Sequence, residues 1–276
     1  MNYESLAFEI KCLAKSIKCG ISLIDSIKLL ISSLIPFHIK KLKLIQIKLP
    51  YSIKALIPIN QLPSIWLNIL HIYYDRDYEP ITLFVPQKNW TIIDIGAHIG
   101  LYTLKAARLV GLHGKVIAIE PNPENYEILK LNMKINSLSN ILPIRIAISN
   151  KNTIKKLYIP KYSANASFNR NYIESIGNSI EKTIEVRTMK LSDLIEKLKL
   201  SHIDLIKIDV EGEELNIVKE LIESDIIRNI DKLIIEVHKN IINQMEITNL
   251  LEGQGYNVII IDDIELPYQS FIAAFK

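Results

Sequence analysis

The stretch TIIDIGAHIG, residues 91–100, decides how the rest of the chain reads. It passes from apolar residues through one aspartate into two glycines, the pattern of a buried strand that ends in a sharp turn and feeds a helix. Gly96 and Gly100 let the backbone turn tightly and approach a ligand closely, just before a helix starting near Ile99, whose first N–H groups are free to bind it. The next apolar run, KVIAIE (115–120), closes on Glu120, where a carboxylate can accept hydrogen bonds from both hydroxyls of a ribose. Together the two stretches point to an adenosine-type ligand.

The dinucleotide fingerprint requires G-x-G-x-x-G, but the order here is Gly96-Ala97-His98-Ile99-Gly100. The phosphate-binding P-loop requires G-K-[ST] after its glycines, which is absent. S-adenosylmethionine is then the leading candidate. On these residues alone two other readings stay open: an NAD-dependent oxidoreductase, which would want a third glycine in the 96–101 turn, and a non-catalytic binding module.

After Trp90, short apolar runs alternate with helix-length segments. TIID (91–94), KVIAIE (115–120), LPIRIAI (142–148), IDLIKID (203–209) and KLIIEVH (232–238) read as buried strands, with helices over 123–136 and 212–224 among the segments between them. The repetition predicts an α/β fold with a parallel sheet covered by helices on both faces. YNVIIID (256–262) and SFIAAFK (270–276) are joined by too few residues for a helical crossover, so the sheet should finish in an antiparallel hairpin. Ligands of such sheets lie at the carboxyl ends of the strands where strand order reverses.

Residues 1–84 read as an N-terminal extension of helices and short strands, before a catalytic domain over 85–276. Leu6, Ile10, Leu13 and Ile17 are spaced as one helix face, with Lys11, Lys15 and Lys18 off it. A second apolar helix is expected from Ser22 to Leu34, closed by Pro36, and a half-exposed strand from Lys41 to Leu49. Five of the eleven prolines fall in 50–86, so regular structure there should be short. The extension reads as a helical cap on the domain, and its basic amphipathic helices would also suit peripheral contact with a membrane.

The chain has 276 residues, 49% of them hydrophobic, enough for a large core. A formal charge of +3 is far from the basic footprint of a dedicated nucleic-acid binder, so no nucleic-acid partner is expected. Cys12 and Cys19 lie roughly 10 Å apart along a helix, which excludes a disulfide between them and leaves helix packing. ALIPINQLPSIWLNILHIYY (55–74) is uncharged and long enough to span a bilayer, but it carries Pro58, Asn60, Gln61, Pro63, Asn68 and His71. Those polar groups are costly in hydrocarbon, so the run reads as buried loop and helix. No secretory signal pattern opens the sequence, and a cytoplasmic location is expected.

IDIGAHIGLYTL (93–104), GKVIAIEPNPENYEILKLN (114–132), IDLIKIDVEGEEL (203–215) and IIEVH (234–238) resemble, in order, the successive motifs of the FkbM-type S-adenosylmethionine-dependent methyltransferases. The resemblance extends over residues 85–276, and KIDVEG is its most specific part. It implies a Rossmann-like class I methyltransferase fold with a mostly parallel seven-stranded sheet ending in an antiparallel hairpin. It also implies S-adenosylmethionine as cofactor, held by Asp94, Gly96, Ala97, His98, Gly100, Glu120 and Asn122. The expected reaction is O-methylation of a hydroxyl on a sugar, glycan, lipid head group or secondary metabolite. One departure is His98, where the family more often has asparagine, so its part in cofactor contact stays open.

Methyl transfer to a hydroxyl is an in-line displacement, so an enzyme must align the acceptor oxygen and remove its proton. Asp209 ends one strand, Glu211 follows in the turn, and Glu236 and His238 lie two apart on the next strand, pointing to one face. Adjacent strands would gather these four into an acid/base cluster. His238 is the expected base, since an imidazole of ordinary pKa, about 6.5, suits proton abstraction at neutral pH, and Asp209 would orient acceptor or cofactor. Two competing uses stay open: Glu211 could cap the helix after Gly212, and Asp209, Glu236 and His238 could hold a divalent cation, although no spacing such as H-E-x-x-H marks one. YSANASFNRNYIESIGNSIEK (162–182) lies between strands expected at 154–159 and 183–188. It reads as a lid or a surface loop, with Asn165, Ser167, Asn169 and Arg170 as acceptor contacts.

Overall fold

The computed structural model describes residues 3–34, 44–161, 163–262 and 268–276. Pro36, the first residues of the strand expected from Lys41, and the connection of the terminal hairpin at 263–267 lie outside them. Helices α1 (Tyr3–Lys18) and α2 (Leu23–Leu34) are followed by β1 (Leu44–Leu49) and β2 (Ile53–Pro58), which pair antiparallel, and by α3 (Leu62–Leu70). The uncharged run 55–74 is thus divided among the end of β2, a short turn, α3 and a single wide turn at His71–Asp75. No helix among the described residues is long and apolar enough to cross a membrane.

Then come β3 (Thr91–Ile95), α4 (Leu101–Val110), β4 (Lys115–Ile119), α5 (Pro123–Ile135), β5 (Ile141–Ile144), β6 (Ala147–Ile148), β7 (Thr153–Pro160) and α6 (Arg170–Ser175). The chain continues with β8 (Ile180–Met189), α7 (Leu191–Lys197), β9 (Leu205–Ile208), α8 (Glu214–Glu223), β10 (Lys232–His238), α9 (Gln244–Glu252), β11 (Asn257–Asp262) and β12 (Gln269–Phe275). The main sheet has the order β11-β12-β10-β9-β3-β4-β5. β12 runs antiparallel to both neighbours, and the remaining pairings are parallel. This is the mostly parallel seven-stranded sheet with a closing hairpin that the sequence implies.

The central strands are buried on both faces, which explains their unbroken apolar runs. Ile92 and Leu205 face one hydrophobic cluster, while Ile93, Ile95, Ile206 and Ile208 face the other. The chain moves outward from β3 through β4 to β5, then returns to the opposite side of β3 with β9. Strand order therefore reverses between β3 and β9, which places a crevice at the end of the TIIDIG segment.

Two expectations are corrected. LPIRIAI is not one strand: it breaks at Arg145, and β6 leaves the main sheet to pair with β8, joining β7 in a three-stranded sheet. Among the described side chains of α1, Cys12 and Ser16 are buried, while Ile10 and Ile17 are exposed at 53% and 43%. Small side chains win that face because α1 lies close to Trp66 of α3, whose indole N–H donates to Ser16 Oγ at 2.8 Å. Neither cysteine forms a disulfide among the described residues.

The N-terminal elements share the first cluster with the sheet, as Cys12, Leu29, Ile57, Trp66 and Phe84 belong to it together with Ile92, Leu104 and Val116. Asn132 of α5 and Asn136 at its C-cap reinforce the join. Asn132 and Asn136 accept the N–H groups of Leu56 and Lys54 at 2.6 and 2.8 Å, and their amides donate back to the same residues' carbonyls at 3.3 and 2.6 Å. They satisfy backbone groups of β2 as a neighbouring strand would.

Candidate active site

After Ile95 the chain turns at Gly96 with φ of +79°. A β-carbon there would lie 1.8 Å from the carbonyl oxygen of Asp209, just beyond β9, so glycine is what allows the two strand ends to meet. At Gly100, φ +89°, a β-carbon would come within 2.4 Å of Leu129. Helix α4 begins at Leu101 with Gly100 as its N-cap, slightly later than the sequence suggests. His98 between them has φ 51°, a left-handed conformation that asparagine, aspartate and histidine enter more readily than other L residues. Histidine can therefore occupy this turn in place of asparagine.

The turn and the end of β4 are tied through Glu120. Its Oε2 accepts the His98 N–H and its Oε1 accepts the Asn122 N–H, both at 2.8 Å. Burial pushes the Glu120 pKa up to about 7 against the pull of these donors. Burial also pushes the His98 imidazole down to about 4, so it is neutral at physiological pH. The Asn122 side chain caps α5, accepting the Glu124 N–H at 3.0 Å. Asp94 is fully buried behind the turn, where Thr103 donates to its Oδ2 and Lys207 Nζ lies 3.3 Å from Oδ1.

Two pockets meet here. The first is lined by Glu120, Pro121, Asn125, Ile146, Ile148 and Phe168. The second is lined by Asn68, Tyr78, Tyr102, Lys207, Glu236 and Gln269, with Ala97 at its edge. Asn68, Gly96, His98, Ala164, Asp209 and Glu211 belong to both. Asp94, Gly100, Asn122 and His238 line neither pocket.

Asp209, Glu211, Glu236 and His238 are brought together at the ends of β9 and β10. Lys207 Nζ lies 3.2 Å from Asp209 Oδ2 and donates to the Gly96 carbonyl at 2.9 Å. Burial alone would lower the Lys207 pKa, but the carboxylates of Asp209 and Asp94 outweigh it and hold the ammonium above its usual range. Burial works against the charge on Asp209 too, and Lys207 with His238 more than offsets it, leaving that carboxyl below its ordinary value. The Tyr78 hydroxyl lies 2.7 Å from Glu236 Oε2 and 3.1 Å from Asp209 Oδ2, and donates to this carboxylate pair. Glu236 is pushed up to about 8, first by burial and then by Asp209.

The placement of His238 corrects its expected role. The ring is 0% exposed, with Nδ1 2.9 Å from Glu214 Oε1 and Nε2 3.1 Å from Glu211 Oε2. Burial alone would lower its pKa, but the carboxylates of Glu211, Glu214 and Glu236 outweigh this and push it well above the ordinary value. An enclosed imidazole held toward its protonated form is not placed to take a proton from an acceptor in either pocket. Glu211 does not cap the following helix, because α8 begins at Glu214 and Glu211 turns inward to accept the Tyr172 hydroxyl at 2.6 Å. Burial pushes Glu211 up to about 7, and its backbone is left-handed at φ 55°, a strained conformation of the kind found at functional sites.

The 162–182 segment divides its work. Asn165 reaches the second pocket and donates to Glu211 Oε1 at 3.3 Å, while the Ser167 hydroxyl donates to the Glu211 carbonyl at 2.5 Å and fixes that turn. Asn169 caps α6, and Arg170 pairs with Glu174 at 2.9 Å on the surface. Sequence reasoning missed Tyr78, Tyr172, Lys207 and Glu214. Lys207 carried a signal, a lone cation inside an apolar strand, and Glu214 is the third acid of VEGEE; the tyrosines carried none.

Residues 94–258 match the family described as "Methyltransferase FkbM domain". Relatives include methyltransferase sdnD of Sordaria araneosa, 28% identical over 214 residues, covering 68% of this chain and 80% of the relative. The hexuronic acid methyltransferase AglP of Haloferax volcanii is 23% identical over 196 residues, covering 70% of this chain and 74% of its own length. Among solved structures, methyltransferase FkbM from Methylobacillus flagellatus aligns at 15% identity with a TM-score of 0.49, over 78% of this chain and 55% of that one.

Proposed function

We propose, for a chain that belongs to the FkbM methyltransferase family, that it transfers the methyl group of S-adenosylmethionine to a hydroxyl oxygen of a sugar or other small-molecule acceptor. The observation that carries this reading is the meeting of two pockets at Gly96, His98 and Asp209, which gives donor and acceptor separate compartments with one junction. Glu120, in the first compartment, accepts the ribose hydroxyls, and Gly96 lets the donor approach the strand end. The acceptor occupies the second compartment and attacks the sulfonium methyl in line. The carbon–sulfur bond breaks, S-adenosylhomocysteine leaves, and the acceptor proton passes to a carboxylate.

Asp209 stands at the junction, held by Lys207 and Tyr78, and orients the acceptor hydroxyl. Glu236 lies on the acceptor side and takes the proton. His238 acts from behind as a positioning residue for Glu211. A relative named for hexuronic acid supports a sugar as acceptor.

The test is transfer from methyl-labelled S-adenosylmethionine to a panel of glycosides and uronic acids. A methyl ether on a hydroxyl survives mild base, whereas a methyl ester on a uronic carboxylate is lost as methanol. Base-stable label is expected, and base-labile label alone would contradict hydroxyl transfer. Glu236→Gln should keep donor affinity but lose turnover by about a hundredfold to ten-thousandfold, the usual contribution of a positioned base. Unimpaired turnover in that variant would remove Glu236 from the role.

A further inference from the structure

The cluster beyond Asp209 gathers several carboxyl groups around a single side chain. Carboxylates of Asp209, Glu211, Glu214 and Glu236 surround one fully buried imidazole, while Lys207 is directed to Asp209, Asp94 and Gly96. Glu214 Oε1, 2.9 Å from Nδ1, sets that nitrogen as the donor, and Glu214 itself accepts the Gly212 N–H at 2.9 Å. Nε2 then faces the other carboxylates, 3.1 Å from Glu211 Oε2 and 3.8 Å from Glu236 Oε1. Despite this proximity it has no hydrogen-bond partner among the described residues. An N–H at Nε2 needs an acceptor in line with it; a lone pair there needs a cation.

We propose that His238 Nε2 and the carboxylates of Asp209 and Glu211 bind a divalent cation of the manganese class. Ligand atoms offered by Asp209, Glu211 and His238 all lie within 4.8 Å of one another. Around a six-coordinate ion with bonds of about 2.1 Å, neighbouring ligands are about 3 Å apart and opposite ones about 4.2 Å, so small shifts close the set onto an ion. Lys207 and Tyr78 both engage Oδ2 of Asp209, which leaves Oδ1 as a ligand. Tyr78 engages Oε2 of Glu236, whose Oε1 stays outside the ligand set and is left for the acceptor proton.

One imidazole among several carboxylates suits a metal that accepts both nitrogen and oxygen, whereas magnesium and calcium favour all-oxygen sets. The Glu214–His238 contact is the carboxylate–histidine pairing that orients metal-bound imidazoles. What such an ion does rests on the acceptor reading above: through Asp209 and Glu211 it faces the acceptor compartment, where it would lower the pKa of a bound hydroxyl. Its binding does not rest on that reading.

The test uses the full chain, stripped by chelator and free of donor and acceptor, titrated with Mn²⁺ while free Mn²⁺ is followed by electron paramagnetic resonance. One ion held per chain is expected, with pulsed-resonance modulation from an imidazole nitrogen. Glu211→Gln should weaken binding, and Glu214→Gln should weaken it about 10–100-fold, as loss of an orienting carboxylate does. Asp204→Asn should have no effect: it disrupts a separate cluster of His202, Asp204 and Asp231 at the starting ends of β9 and β10. No Mn²⁺ uptake, uptake without the nitrogen signal, or uptake abolished by Asp204→Asn but indifferent to Glu211→Gln would each overturn the site. Calorimetry with S-adenosylmethionine on the same preparation separates the two readings, because an ion bound without donor affinity removes the proposed donor and leaves the ion site standing.

Discussion

Glu120 accepts one backbone N–H from the turn after β3 and one from the end of β4, so the same carboxylate that would meet a ribose also fixes the turn. With its pKa pushed up to about 7 by burial, the unliganded site holds a proton below neutrality. Ribose hydroxyls donate to the ionised form, so binding favours release of that proton. Donor affinity should therefore be lower below pH about 7, rise as pH increases through it, and level off above. Glu120→Gln should flatten that profile and weaken binding about tenfold above neutrality, measured by calorimetry. A wild-type profile that is flat across neutrality would contradict the role. Glu120 and Gly96 were legible in the sequence because their jobs are local, one at a strand end and one in a turn. Tyr78 was not, since it reaches Asp209 from 131 positions away and only tertiary packing brings it there.

That packing belongs to the elements. Glu79 is buried between Lys105 of α4 at 2.8 Å and Arg76 at 2.8 Å, which locks the segment carrying Tyr78 against the catalytic domain. Apolar periodicity identified α1 correctly as a helix, but the stripe of Ile10, Leu13 and Ile17 did not reveal that Cys12 and Ser16 form the close contact. Spacing reports amphipathicity; it does not report which face a bulky neighbour such as Trp66 demands. Ser16→Ala would leave the buried indole N–H without its acceptor and should cost about 1–3 kcal/mol, read by chemical denaturation. No change in the denaturation midpoint would show that this bond does not secure α1. The split of LPIRIAI was equally hidden, because β5 and β6 are both apolar and only their pairing partners differ.

On the scale of the whole molecule, the parallel sheet was legible because its central strands are buried on both faces, and the closing hairpin because too few residues separate its strands for a helical crossover. The shape of the acceptor compartment was not. Its walls combine Asn68 and Tyr78 from before the first parallel strand with Lys207, Glu236 and Gln269 from the far half of the sheet. The segment before residue 85 is thus proposed to shape acceptor choice, while residues 85–276 carry the donor chemistry. Methyl transfer depends on what the turn at residues 95–100 holds. Calorimetry of the full chain with S-adenosylmethionine and, separately, with NAD tests it most directly. The account predicts one S-adenosylmethionine bound per chain, no affinity for NAD, and loss of donor binding in Gly96→Ala, whose added β-carbon would collide with the Asp209 carbonyl. NAD binding at this turn, or folded protein that binds no S-adenosylmethionine, would contradict it.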